Sequence, residues 1–89
     1  MSRSAHGVTI TDAALTQIVV VAAEQVEGAR VRKRGVELEE ESVAVSLAAR
    51  YGVVLPDLAR EVQQRVADAL ATMCALRIES VDVSVEEVE

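Results

Sequence analysis

Phenylalanine and tryptophan are absent from this 89-residue chain, and Tyr51 is its one aromatic residue. Recognition of single-stranded nucleic acid by stacking bases on a sheet of aromatic side chains is therefore excluded. The core has to be built from Val, Leu, Ile and Ala, with Tyr51 as its only ring. A single cysteine, Cys74, cannot close an internal disulfide, which fits a reducing cytoplasm. The one histidine, His6, lies in a small, polar N-terminal lead and is a poor general base, so Cys74 lacks the partner that would lower its thiol pKa. One Cys and one His at opposite ends of the chain do not make a zinc cluster. The glycines Gly7, Gly28, Gly35 and Gly52 are isolated from one another, so no phosphate-cradling loop exists. The longest apolar run, Ile18 to Ala23, is far short of the ~20 residues that span a bilayer. No apolar stretch follows Arg3 to make a secretory signal. Positive charge is scarce as well: 9 Lys and Arg against 15 Asp and Glu give a net charge of −6, which argues against general affinity for nucleic acid.

What is present is periodic. Residues 1–6 read as a disordered lead and residues 7–89 as a single domain. Thr11 is placed to cap a helix that Asp12 enters and Gly28 stops, with Leu15, Ile18, Val19, Ala22 and Val26 as its apolar stripe and Val20 on the opposite side. A connector, Ala29 to Arg34, carries Arg30, Arg32, Lys33 and Arg34. From Gly35 the pattern turns to period two: Val36 and Leu38 alternate with Glu37 and Glu39, then Val43, Val45 and Leu47 alternate with Ala44, Ser46 and Ala48. Pro56 and Asp57 suit the first turn of a second helix running to about Leu76, whose buried face is Leu58, Val62, Val66, Leu70 and Met73. A last strand alternates Val81, Val83 and Val85 with Asp82, Ser84 and Glu86.

The order helix, strand, strand, helix, strand predicts an α+β two-layer sandwich, a three-stranded mixed sheet with both helices on one face. The second and third strands, joined through a helix, are expected to be parallel. Whether they are neighbours is left open by the sequence. The outer sheet face is expected to carry Glu37, Glu39, Asp82 and Glu86 around the small residues Ala44, Ser46 and Ala48. Together with the basic connector and Val20, this is the candidate interaction surface, and the two unlike patches suggest a head-to-tail contact between copies. No catalytic, cofactor-binding or metal-ligating set emerges.

Five segments acquire a shared meaning when taken together: GVTITDAAL at 7–15, VEG at 26–28, VAVSLAARYG at 43–52, VVLPDLAREVQQRV at 53–66 and IESVDVSVE at 78–86. In combination they resemble the alkaline shock protein family, bacterial envelope stress response proteins found mainly in Gram-positive organisms. The resemblance implies a non-enzymatic cytoplasmic protein that acts as an interaction or scaffold module. It also implies self-association, and recruitment to the inner face of the membrane by a membrane-anchored protein partner rather than by a span of its own. The alternative is a small α+β RNA-binding module using the connector Arg30 to Arg34.

Overall fold

The computed structural model describes residues 2–5, 8–73 and 78–89. Two short strands, β1 (Ser2–Ala5) and β2 (Val8–Thr11), pair antiparallel in a sheet of their own; β1 falls within residues 1–6, which the sequence reads as a disordered lead. Helix α1 (Asp12–Glu24) follows directly, and the Thr11 hydroxyl accepts from the Ala14 N–H at 3.1 Å, the expected cap. Strand β3 (Ala29–Leu38), strand β4 (Ser42–Ala49), helix α2 (Leu55–Met73) and strand β5 (Ser80–Val88) complete the chain.

The main sheet has the order β3-β4-β5, with β3 and β4 antiparallel and β4 and β5 parallel. The two strands joined through α2 are thus adjacent. The hairpin register is the one that period two implies, pairing Val36 with Val45, Glu37 with Ala44 and Leu38 with Val43. Val43, Val45 and Leu47 are buried against Leu15 and Val19 of α1 and Leu58, Val62, Val66 and Leu70 of α2. Ile18 and Val83 are half-buried at the margin of that core. Both helices therefore lie on one face of the sheet, in the expected two-layer α+β sandwich.

Four details depart from the sequence reading. Ala29 to Arg34 is the first half of β3 rather than a connector. Between the pairs Val31–Leu47 and Val36–Val45, β3 advances five residues while β4 advances two, so a large bulge resets the register. Arg34 takes φ 58° there, and Gly35 is packed so closely that a Cβ would lie 2.7 Å from the carbonyl oxygens of both Arg32 and Ser46. Tyr51 is no core residue: it is 83% exposed, because the chain leaves the sheet after Ala49 and turns at Gly52, whose φ is 96°. On α1, Val20 is half-buried, and the outward valine is its neighbour Val21. Met73, expected on the buried face of α2, is 69% exposed at the last described turn of the helix.

Candidate functional site

The outer face of the sheet is the candidate site, since neither helix covers it. Down its middle run the outward side chains of β4, Ser42, Ala44, Ser46 and Ala48, none larger than a hydroxymethyl group. The register fixes what stands beside each. Ala44 lies between Glu37 and Asp82, and Ala48 lies between Arg30 and Glu87. A second irregularity, in β5, sets Val85 opposite Leu47 and Glu87 opposite Ala48, so Glu86 is an extra residue. A bulge of this kind breaks the alternation of faces. Glu86 as a result reaches across the sheet instead of standing alone.

The basic and acidic patches meet within one chain. Arg32 Nη1 lies 2.8 Å from Glu86 Oε1, while the hydroxyls of Ser46 and Ser84 donate to Glu86 Oε2 at 3.2 and 3.1 Å. Arg30 grips Glu89 with two donors, its Nε at 3.2 Å from Oε1 and its Nη2 on Oε2, and sits 3.9 Å from Glu87. These charges form a lid over Ala48, which is 1% exposed although it faces away from the helices. Hydrogen bonding and attraction from Arg30 hold the Glu89 carboxyl below its ordinary pKa, and the same contact raises the guanidinium of Arg30 further.

Of the residues named from sequence, the structure brings together Arg30, Arg32, Ala48, Ser46 and Glu86 at one end of the face, and Glu37, Ala44 and Asp82 at the other. Glu37 and Asp82 form no ion pair among the described residues. Lys33 and Arg34 stand on the β3 bulge, exposed and likewise unpaired among the described residues. Glu39 lies beyond the end of β3, in the turn, where its N–H donates to the Ser42 carbonyl at 2.9 Å. Val20 is on α1, away from this face. The sequence reading missed Glu87 and Glu89, which take two of the three cross-sheet ion pairs among the described residues. The run of acids from Glu86 to Glu89 was their only signal. His6 and Cys74 lie outside the described residues.

Two further features involve the sheet edges. On the β3 edge, Glu24 Oε2 of α1 accepts from the Val31 N–H at 3.0 Å. On the β5 edge, Gln63 of α2 donates from Nε2 to the Val81 carbonyl at 2.8 Å. Between α1 and α2 an apolar cleft of about 180 Å³ is lined by Ile18, Val21, Ala22, Ala69 and Met73, with Gln17 and Gln25 at its rim. Among the described residues no three His, Cys, Asp or Glu side chains stand close enough to hold a metal ion. No helix among them is long and apolar enough to cross a membrane.

Solved structures of MamM CTD are similar to this chain. One form is 26% identical, with a TM-score of 0.53 over 86% of this chain and 98% of that one. Its cadmium form is also 26% identical, with a TM-score of 0.51 over 85% of this chain and 96% of that one. No curated protein matches. The model of the alkaline shock protein family, described as having a cell envelope-related function, matches residues 29–89, the stretch that contains the whole three-stranded sheet and α2. The match takes in more than half of the sequence, and the chain belongs to that family.

Proposed function

We propose that this chain is a non-enzymatic interaction module of the cell envelope, working through contacts made by its uncovered sheet face. The observation that carries this reading is the row Glu37–Ala44–Asp82: two carboxylates without an ion pair among the described residues, flanking a methyl group on a face that no described element covers. Small central residues let a partner's backbone approach closely, and the flanking charges select its sign and set its register. The ion-paired end of the face, from Arg30 to Glu89, supports the sheet and takes less part in contacts. Membership of a family with a cell envelope-related function supplies the context. Recruitment to the membrane by an anchored partner, and contact between copies, belong to the same proposal.

The RNA-binding alternative draws on the same cations, and two of its four, Arg30 and Arg32, are engaged by carboxylates. A photo-crosslinking residue placed in living cells at Ala44 or Asp82, compared with Arg65 on the exposed side of α2, tests the reading. Adducts to envelope proteins are expected from the sheet positions and not from Arg65. Adducts to RNA, or none from the sheet face, would overturn it.

A further inference from the structure

The two edges of the sheet differ. The β3 edge is closed to strand addition: its ladder is broken by the bulge from Arg32 to Gly35, the Val31 N–H is taken by Glu24, and the exposed charges of Lys33 and Arg34 stand along it. The β5 edge has no strand beside it among the described residues and runs without irregularity from Ser80 to Val85. Gln63 reaches the Val81 carbonyl from outside the sheet, so this peptide group is turned to the open side. Alternation along the strand turns those of Val83 and Val85 the same way.

Beside this edge, helix α2 and β5 form the walls of a groove. One hollow of about 340 Å³ is lined by Pro56, Ala59, Arg60, Gln63, Val81, Asp82 and Val83, so that a cation and a carboxylate stand at its rim. A second, of about 390 Å³, continues it past Gln64 and Ala67. An open strand edge alongside a helix groove is the geometry in which an extended peptide gains affinity from its backbone and specificity from alternate side chains.

We propose that the groove between β5 and α2 binds an extended segment of a partner protein as a fourth strand, one that alternates a medium-sized apolar residue with a Lys or Arg. The charge follows from the register. The apolar side chains of the added strand enter the groove, and the intervening ones rise on the outer face beside Asp82, with Glu37 two strands further on; no cation among the described residues is paired to either, and Arg60, the cation that lines the groove, lies 3.9 Å from Asp57. Gln63 is the strap that holds the edge when the groove is empty, and it must release Val81 for full pairing. The proposal rests on the reading of the chain as an interaction module and names the chemistry of what it holds.

The test uses the full chain and labelled synthetic peptides, Val-Lys-Val-Lys-Val and Val-Glu-Val-Glu-Val, read by fluorescence polarisation. The lysine peptide is expected to bind and the glutamate peptide not to. N-methylating the lysine peptide at alternate residues is expected to abolish binding in one phase and leave it nearly unchanged in the other, because only alternate amides face β5. Asp82→Lys is expected to reverse the preference, weakening the lysine peptide by roughly five- to tenfold. Gln63→Ala, a change that favours the helix, is expected to tighten binding by releasing the Val81 carbonyl. Equal binding of both N-methylated phases would reduce the effect to bulk charge and overturn the proposal, as would binding of neither peptide or indifference to both variants. Crosslinking from Ala44 that persists while these peptides are ignored would keep the interaction-module reading and remove the groove.

Discussion

Arg32 and Glu86 sit on opposite edge strands of the sheet and meet above Ser46, with Nη1 2.8 Å from Oε1 and the Ser46 hydroxyl donating to the other carboxylate oxygen. The central strand separates their backbones, and only the small side chains of β4 let the two reach each other. Both side chains remain nearly half exposed, at 41% and 46%. A modest contribution is expected from such a pair, about 0.2–1 kcal/mol. Arg32→Glu and Glu86→Arg should each lower the urea midpoint, and the double exchange should recover most of the loss. The coupling should shrink as salt rises past ~0.5 M. A double-mutant cycle across a salt series measures both effects.

Acid should loosen the other end of the same face. The Glu89 carboxyl has a lower pKa in the folded chain than in the unfolded one, because Arg30 hydrogen-bonds its charged form. The folded state thus binds fewer protons in the acid range, and the contribution is present above the unfolded value and lost as pH falls through the folded one. Urea midpoints from pH 7 down to pH 3 should show a smaller loss for Glu89→Gln than for the parent chain. Arg30→Ala should flatten the same limb.

Gly35 and Gly28 should fail differently when given a side chain. A Cβ at Gly35 meets two backbone carbonyl oxygens at 2.7 Å, which cannot rotate away. Gly35→Ala is expected to cost about 1–3 kcal/mol and to disturb the β3–β4 ladder. At Gly28 the nearest atom is Val53 Cγ1, the end of a side chain, and the obstacle is φ 89°. Gly28→Ala is expected to cost about 1–2 kcal/mol while leaving the ladder intact. Denaturation curves with amide chemical shifts of β3 separate the two.

Truncation in the core should be felt most where the layers meet. Leu47 and Leu70 are buried to 0% and 1% exposure. Leu47→Ala and Leu70→Ala are each expected to lose about 2–5 kcal/mol, a large share of a small domain's stability. Val21→Ala, at a side chain 49% exposed beside the cleft between α1 and α2, should cost far less, about 0.5 kcal/mol. Midpoints that rank these three otherwise would mean that the packing is different.

The hairpin was legible because Val36, Leu38, Val43, Val45 and Leu47 obey a period that only one register satisfies. Thr11 and Asp12 likewise marked the start of α1 by their chemistry alone. The first half of β3 was hidden, since four cations in five positions leave Val31 as the single apolar signal and the bulge then shifts the register. Tyr51 was misplaced because an aromatic ring usually earns burial, whereas here the turn at Gly52 carries it outward. The members of the site were mostly visible as charges, but their pairing was not. Which arginine meets which glutamate depends on two bulges, at Arg32–Gly35 and at Glu86, and no local pattern announces either.

The lid of charges over Ala48 has a kinetic consequence. Methyl groups on the inner side of β4 are sealed by hydrocarbon, whose grip ionic strength barely alters, but Ala48 is sealed by guanidinium and carboxylate groups that ions in solution can screen. Hydrogen exchange in the central strand should therefore respond to its two faces separately. Amides around Val43 and Val45 should report the opening of the core, and those beside Ala48 should quicken with salt long before the fold itself gives way.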